Sequence, residues 1–406
     1  MIPPLQLREW TKTSVEELTS AQISELHRID GLRIEPRSDG QFDITPTGNL
    51  VGYVRRGETS VIIRPSKCDS GLVLFMMGYT DNPEMFGESQ VDFEADEDLL
   101  EATVSVFVRA TLSSVARGLY RAYASMDEEL SVIRGRVRIS DQISRRFRLV
   151  PPISVSYDEF TVDVIENRLI KAALEVVSQM PIRNKRTVDD LQVLRAVFTD
   201  VTHTDFDQSS MPKPVWTRLN QHLKYSVNLA KRIILHSSIS LDLGDSSSDE
   251  FLINMANVFE DFVVTAIREE LNLNSTQMPR ANELRNNPYL DLGNAIKLKP
   301  DISRWQGSQC VAIGDVKYKR TSSEGVVHPD IYQLLAYATA TELARASVVY
   351  ACGKGERDEL LVGSHKVRGT DIEIDVFALD LTKSSFEVLA QIAEFAQAFQ
   401  PQLTVI

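Results

Sequence analysis

The sequence predicts a mixed α/β protein in which three parts follow one another along the chain. Short β-branched runs broken by turn residues dominate the first part, and apolar residues at helical spacing dominate the second. In the third part helical and strand patterns alternate, which is typical of an α/β domain. We therefore expect a β-rich N-terminal domain over 1–95, a mainly helical middle region over 96–241 and an α/β domain over 242–406. At 406 residues the chain has room for two or three such domains.

The predicted N-terminal domain contains one helix and three short strands. Apolar residues three to four positions apart predict the helix over about 14–28. The strands are apolar or β-branched runs over 42–44, 50–54 and 60–64, separated by Thr-Pro, Gly-Asn and Arg-Gly turns. Together they predict a small sheet or barrel.

Helical periodicity predicts four helices in the middle region, and one alternating segment predicts a strand. The helices lie over about 98–123, 163–180, 188–198 and 215–236. The strand, over 134–139, alternates arginines with apolar residues. A polar, turn-prone segment over 242–250 then marks the start of the last domain.

The last domain is predicted to contain three helices and four strands. The helices lie over about 250–271, 329–346 and 384–399. The strands lie over about 295–303, 310–318, 347–352 and 371–379. Gln306, Gly307 and Ser308 separate the first two strands by a gap of turn length, which predicts a β-hairpin.

Charge is unevenly distributed along the chain. The formal net charge of −13 argues against a protein that holds DNA nonspecifically through a basic surface. Nevertheless, 131–148 contains six arginines and one acid, whereas 84–101 contains eight acids and no base. Such stretches are either solvated faces or docking surfaces for phosphates and for a basic partner. For Arg134, Arg136 and Arg138, a plain edge strand and a DNA or partner surface are equally good interpretations.

The patterns of cysteine, histidine and hydropathy exclude several kinds of site and predict the location of the protein. The three cysteines fit no CxxC spacing and the six histidines form no HxxxH pair, which argues against a zinc hydrolase. The chain contains no GxxxxGK[ST] phosphate-binding loop. No run approaches 18 apolar residues and the start lacks a signal-peptide pattern, so we expect a cytoplasmic protein with no membrane partner.

The most informative residues are Asp301, Asp315 and Lys317. Asp315 and Lys317 are two positions apart at the end of a buried strand pattern, so both side chains are expected on one face of the strand. Asp301 precedes this strand at hairpin distance. Two acids with a lysine beside them suit a divalent metal that activates a water for phosphodiester hydrolysis. The pattern therefore predicts a metal-dependent nuclease.

These residues and their surroundings resemble the PD-(D/E)xK nucleases, and among them McrC, the nuclease subunit of modified-cytosine restriction systems. The matching segments are, in chain order, Tyr53-Val-Arg-Arg, Val61-Ile-Ile-Arg-Pro-Ser-Lys, Glu166-Asn-Arg-Leu-Ile-Lys-Ala-Ala-Leu, Val258-Phe-Glu-Asp-Phe-Val, Pro300-Asp301, Gly314-Asp-Val-Lys-Tyr-Lys and Asp330-Ile-Tyr-Gln-Leu-Leu-Ala-Tyr. They span most of the chain from about residue 40. The resemblance implies a restriction-endonuclease-like α/β fold for the last domain.

The resemblance also implies a Mg²⁺ site. Asp301 and Asp315 would ligate the Mg²⁺ ion, with the backbone carbonyl of Val316 as a third ligand. Lys317 would orient or help to deprotonate the attacking water and would stabilise the charge that develops on the phosphate.

Two further site residues follow from the resemblance. Glu260 matches the family's helical acid, which touches the metal site or the lysine. The alternative interpretation is that Glu260 is a solvated acid on the surface of its helix. Gln333 matches a downstream glutamine that steadies the nucleophile or a DNA phosphate. The alternative interpretation is that Gln333 only caps its helix or packs against it. The fold and residues together imply a metal-dependent endodeoxyribonuclease.

The resemblance implies two partners: an McrB-like AAA+ GTPase ring, and double-stranded DNA with modified cytosine. In this interpretation the chain is an antiviral restriction subunit that is activated by the GTPase and stimulates it. Two alternatives remain open from the sequence. One alternative is a non-catalytic adaptor of an NTPase ring. The other is a stand-alone repair or mobile-element nuclease of the same fold.

Overall fold

The computed structural model describes residues 4–16, 18–83, 99–146, 151–207, 209–238, 250–280, 288–319, 328–353 and 361–400. Contacts between residues divide the chain into two compact units. Unit 1 consists of 1–102 together with 247–406, and unit 2 consists of 103–246. The predicted first and last domains thus belong to the same unit, and their division into separate domains stays a prediction. The acidic stretch over 84–101 falls largely outside the described residues.

The mixed α/β class predicted from the sequence is confirmed. The strands in the described residues are β1 (Leu5–Arg8), β2 (Thr13–Val15), β3 (Leu32–Pro36), β4 (Phe42–Pro46), β5 (Leu50–Arg56), β6 (Thr59–Arg64), β7 (Ala122–Leu130), β8 (Arg136–Val137), β9 (Ile153–Thr161), β10 (Glu250–Asn254), β11 (Ile302–Gln306), β12 (Gln309–Lys317), β13 (Arg345–Cys352), β14 (Leu361–Lys366) and β15 (Glu373–Asp380). The helices are α1 (Ser20–Leu26), α2 (Ser70–Asp81), α3 (Leu99–Ser114), α4 (Ile139–Arg146), α5 (Ile165–Ser178), α6 (Lys185–Val197), α7 (Lys224–Ser238), α8 (Met255–Glu270), α9 (His328–Ala340) and α10 (Ser385–Ala396). In the described part of the chain, no helix is long and apolar enough to cross a membrane.

Two small sheets form the N-terminal part of unit 1. One has the order β2-β4-β3, and the other has the order β1-β6-β5-β10. In the second sheet Gly52 of β5 lies opposite Leu252 of β10. A side chain at Gly52 would collide with the backbone of Phe251, since its Cβ would lie 2.0 Å from the Phe251 carbonyl oxygen. Glycine therefore allows the close approach of these two strands.

The pairing of β10 corrects one expectation. A helix was expected over 250–271, but the first five of these residues form β10 and the helix begins at Met255. The Asn254 side chain accepts hydrogen bonds from the Ala256 and Asn257 N–H groups, which caps the helix. An apolar run can continue from a strand into a helix without a break, so its periodicity did not mark the boundary.

A five-stranded sheet with the order β11-β12-β13-β15-β14 forms the C-terminal part of unit 1. Strands β12, β13 and β15 are parallel, and β11 and β14 are antiparallel edge strands. Helix α9 covers one face, where Leu334 and Tyr337 pack in one core with Ile313 of β12. The short 3-10 helix Gln397–Phe399, which follows α10, covers the other face, where Phe399 lies against Gly314, the next residue of β12. The result is a three-layer arrangement of helix, sheet and helix.

Unit 2 combines helices with the three-stranded sheet β7-β9-β8, so this region is less purely helical than expected. The helix expected over 98–123 ends at Ser114, and β7 begins at Ala122. Of the strand expected over 134–139, Arg136 and Val137 form β8, which pairs with β9. The Asn167 side chain, in the segment that resembles the family, donates hydrogen bonds to the carbonyls of Tyr120 and Val162 and so stabilises this unit.

Other elements also differ from the expectations: α9 ends at Ala340 rather than near 346, and α7 begins at Lys224 rather than near 215. The helix expected over 14–28 is shorter, because 13–15 pairs with β4 as a strand. The strand expected over 295–303 begins only at Ile302. Strand β14 was not expected, because its sequence Leu-Val-Gly-Ser-His-Lys has little apolar character. The helices expected over 163–180 and 384–399 are confirmed as α5 and α10.

Candidate active site

Three of the predicted site residues lie on neighbouring strands at one edge of the five-stranded sheet. Asp301 directly precedes β11, and Asp315 and Lys317 lie near the end of β12. The predicted hairpin is present, with Gln306 opposite Gln309. Because the two strands are antiparallel, the start of β11 lies beside the end of β12.

Short contacts connect the three side chains and the backbone between them. The Lys317 ammonium contacts the Asp315 carboxylate and lies 3.7 Å from the Asp301 Oδ2 atom. The Val316 N–H donates a hydrogen bond of 3.0 Å to the same Asp301 oxygen. The Asp301 N–H lies 3.4 Å from the Asp315 Oδ1 atom. The two acids and the lysine therefore form one cluster.

The electrostatics of this cluster favour a bound cation. Asp315 is 1% exposed. Burial and, after it, the charge of Asp301 raise the pKa of Asp315 from 3.8 to about 8. Burial alone would lower the pKa of Lys317, but the charges of Asp315 and Asp301 outweigh it, so this pKa is raised. Two acids share one ammonium group in a place with little water, and a cation between the carboxylates would relieve their repulsion.

The donor set fits Mg²⁺ better than a transition metal. Within the described ranges, no group of three or more His, Cys, Asp or Glu side chains has a metal-binding arrangement. The donors at this site are instead two carboxylates, and Mg²⁺ is commonly held by one or two carboxylates with waters and phosphate oxygens. In an extended strand the N–H and C=O of one residue point to the same side. Since the Val316 N–H points to Asp301, the Val316 carbonyl leaves β12 on that side too.

Glu260 is linked to the cluster by charge rather than by contact. It lies on α8 and is half-buried. Burial, then the charges of Asp301 and Asp261, raise the pKa of Glu260 from 4.5 to about 7, while Lys317 acts in the opposite direction. A carboxyl group with such a pKa exchanges a proton near neutral pH.

Gln333 lies on α9, where Tyr337 fixes its orientation. The Gln333 Nε2 atom donates to the Tyr337 hydroxyl at 2.5 Å, and that hydroxyl donates to the Lys299 carbonyl oxygen at 3.0 Å. The chain of hydrogen bonds connects α9 to the segment that leads into Asp301. Gln333 and Tyr337 thus brace the site, as their i, i+4 spacing allows.

A second lysine at the site was not singled out from the sequence. Lys319 forms an ion pair with Asp330 at 2.5 Å, and the Tyr350 hydroxyl donates to the same Asp330 oxygen at 2.5 Å. Asp330 is the third residue of α9 and is buried. The group therefore fastens the start of α9 to the strands beside it. Alternation predicts that Lys319 shares a face with Lys317, but nothing in the sequence pairs it with Asp330.

A buried glutamate on the opposite face was also missed. The Glu9 Oε2 atom accepts hydrogen bonds from the Tyr318 hydroxyl at 2.9 Å and from the Ser66 N–H at 3.0 Å. The Tyr318 ring lies 6.0 Å from that of Phe259 and 5.6 Å from that of Trp10. Tyr318 follows Lys317 and Phe259 precedes Glu260, so this cluster supports both site residues from behind.

The arginine-rich stretch is engaged within unit 2. The Arg134 guanidinium lies 3.9 Å from the centre of the Tyr157 ring, and Arg138 forms ion pairs with Asp141 and Asp127. These contacts hold Arg134 and Arg138 within unit 2 on either side of the edge strand β8, whereas Arg136, which lies on β8, is exposed.

Comparison with known proteins identifies the family. The family model described as McrBC 5-methylcytosine restriction system component matches residues 46–351, which is well over half of the chain. The chain belongs to the McrBC family. The family predicted from the sequence motifs is therefore confirmed, and the McrBC match includes Asp301, Asp315 and Lys317. No curated protein sequence matches the chain.

A chain from a solved assembly of McrB with bound McrC resembles this chain in fold. It comes from the refined half-complex of the tetradecameric assembly of Thermococcus gammatolerans McrB AAA+ hexamers with bound McrC. It matches with a TM-score of 0.59 and 16% identity, over 98% of this chain and 100% of the other. Another, from the cryo-EM structure of the Thermococcus gammatolerans McrBC complex, has a TM-score of 0.42 and 16% identity over 66% and 88% of the two chains.

Proposed function

We propose that this chain is the nuclease subunit of a McrBC-type restriction system and cuts double-stranded DNA at a Mg²⁺-dependent PD-(D/E)xK site. The observation that carries the proposal is the cluster of Asp301, Asp315 and Lys317 at the edge of the five-stranded sheet. Two carboxylates beside a lysine suit phosphodiester hydrolysis, whereas an adaptor has no use for two mutually repelling carboxylates of which one, Asp315, is buried.

The residues of the cluster would divide the chemistry between them. Asp301, Asp315 and the Val316 carbonyl would hold Mg²⁺, which when bound supplies charge for the phosphate and a more acidic water. Lys317, kept protonated by its two acids, would donate hydrogen bonds to the phosphate oxygens as negative charge develops. Glu260, whose pKa is raised to about 7, would accept the proton of the attacking water.

Gln333 would position rather than react. Its hydrogen bond to Tyr337 limits the orientations of its amide group, so the group is already placed when DNA arrives. We propose that this amide holds the attacking water or a DNA phosphate.

We propose that an McrB-type AAA+ GTPase is the partner of this subunit. The chain lacks a phosphate-binding loop of its own. Because its net charge is negative, we expect another protein to make much of the contact with DNA. The resemblance in fold to a chain from an assembly of McrB hexamers with bound McrC supports this partner. We expect this complex to work in the cytoplasm as part of a defence against foreign DNA with modified cytosine.

A reconstitution experiment tests the proposed function. The chain is incubated with a duplex that carries 5-methylcytosine or with the unmodified duplex, with and without its AAA+ GTPase partner, GTP and Mg²⁺. We expect cleavage of the modified duplex only when all components are present, and no cleavage in EDTA. Stimulated GTP hydrolysis without cleavage would favour an adaptor, and efficient cleavage by the chain alone would favour a stand-alone nuclease.

A further inference from the structure

A short hairpin over 288–298, which precedes Asp301 in the sequence, presents apolar side chains to solvent. Tyr289 and Lys297 form an antiparallel bridge, and the Leu290 N–H donates to the Ile296 carbonyl oxygen at 2.9 Å. At the tip Leu292 is fully exposed, and the other three apolar members are exposed around it: Tyr289, Leu290 and Ile296. A cluster of exposed apolar side chains on one small element is unusual for a surface that faces only water.

Hydrogen bonds to Asp291 close the turn at the tip of the hairpin. The Asp291 carboxylate accepts hydrogen bonds from the Ile296 N–H at 2.7 Å and from the Ala295 N–H at 3.0 Å. The Asn294 N–H donates to the Asp291 carbonyl oxygen at 3.2 Å. The Asp291 carboxylate is thus hydrogen-bonded to the backbone of its own turn, from which the exposed Leu292 side chain projects.

The base of the hairpin lies on the face of the sheet that carries the active site. Leu298 is buried in the same core as Ile313 and Tyr337. Ile313, Asp315 and Lys317 alternate along β12 and therefore share that face. The base of the hairpin and the side chains of Asp315 and Lys317 therefore lie on the same face of the sheet.

The distance and charge of the hairpin also suit a duplex at the site. The five residue-to-residue steps from Ile296 to Asp301 span at most about 17 Å, which is the length of about five base pairs of duplex. Lys297 and Lys299 are exposed on either side of buried Leu298, so both ammonium groups leave the opposite face of the segment. Two lysines between an apolar tip and a phosphodiester site match the phosphates of a bound strand.

We propose that the 288–298 hairpin inserts Leu292 as an apolar wedge into the minor groove of the duplex, within a few base pairs of the phosphate that is cut. The inference rests on the proposed nuclease function and adds a DNA contact to it. An apolar side chain between two base steps unstacks them and kinks the duplex. Such a kink would bring the scissile phosphate towards the carboxylates, and Lys297 and Lys299 would hold the flanking strand.

Leu292 variants test the wedge without any need for cleavage. Binding of the full complex, in a Lys317→Ala background, is measured by fluorescence anisotropy on duplexes with 2-aminopurine at successive positions. Leu292→Asp is expected to weaken binding about tenfold, in line with the burial of a leucine side chain, and to abolish the rise in 2-aminopurine fluorescence. Leu292→Met should keep both, and Leu219→Asp, the same change at an exposed leucine of unit 2, should behave like the parent complex.

The outcomes separate the wedge from the proposed chemistry. Unchanged affinity and fluorescence in Leu292→Asp would overturn the wedge, even if the wild-type complex cuts DNA. Loss of GTPase association in Leu292→Asp would overturn it in favour of a protein interface. Failure of the wild-type complex to cut, together with Leu292-dependent fluorescence, would reject the nuclease and retain the wedge.

Discussion

Changing Glu9 to glutamine is expected to stabilise unit 1 increasingly as the pH rises from about 4.5 to 8. Burial is the main cause that raises the pKa of Glu9 from 4.5 to about 7, against the opposing effects of Ser66, Tyr318 and Lys67. A raised pKa means that the folded protein holds the proton more tightly than the unfolded chain does. The stability from Glu9 is therefore complete below pH 4.5 and is lost as the pH rises to about 7.

The size of the effect follows from the shift in pKa. A difference between 4.5 and about 7 corresponds to about 3 kcal/mol between the two protonation states. Glutamine stays neutral and its amide oxygen can still accept from the Tyr318 hydroxyl. The advantage of Glu9→Gln over the wild type should thus grow by about 3 kcal/mol between pH 4.5 and 8.

Urea unfolding at several pH values, followed by tryptophan fluorescence, measures this difference. Trp10 reports locally, because its ring lies 5.6 Å from that of Tyr318. Glu58→Gln, the same change at an exposed glutamate, is the matched control and should show a constant difference from the wild type. A Glu9→Gln difference that does not change with pH would refute the reasoning about burial.

Three other expectations concern the site and its support. Gly314→Ala should lower stability by about 1–3 kcal/mol in a thermal melt, because the new Cβ would lie 2.7 Å from the Ser347 carbonyl oxygen; an unchanged melting temperature would contradict the packing. Tyr337→Phe should lower stability by about 1 kcal/mol and slow cleavage, whereas Tyr332→Phe, at an exposed tyrosine of the same helix, should do neither. Mg²⁺ should raise the melting temperature of the wild type, more at pH 8.5 than at pH 6.5, because a proton competes for Asp315, whose pKa is raised to about 8. Asp315→Asn should lose this effect, and an equal Mg²⁺ response in both proteins would exclude Asp315 as a ligand.

Local patterns predicted which elements lie close to the site, but not where β11 and α9 begin and end. A short turn between two apolar runs predicted the hairpin of β11 and β12, and the spacing of apolar residues predicted α9. Strand β10 could not be predicted from its local pattern, because its partner β5 lies about 200 residues earlier and its apolar run continues into α8. Non-local pairing leaves no local signal in a sequence.

The same distinction holds for the site residues. Asp315 and Lys317 share a strand, so their spacing alone predicted a common face. Glu9 meets Tyr318 across 309 residues, and no spacing rule connects them. Its one sequence signal was an acid placed directly after an apolar alternating strand, and that pattern is too common to single it out.

The cleavage rate of the Lys317→Ala complex tests the central claim most directly. The reconstituted complex with its GTPase is given modified duplex, GTP and Mg²⁺, and the rate of strand cleavage is compared with that of the wild type. Lys366→Ala is the matched control, because Lys366 pairs with the first residue of β15, at the opposite end of the sheet from the site. We expect Lys317→Ala to slow cleavage about 100-fold or more while GTP hydrolysis stays normal, and Lys366→Ala to change neither. Cleavage by Lys317→Ala at the wild-type rate would contradict the assignment of Asp301, Asp315 and Lys317 as the nuclease site.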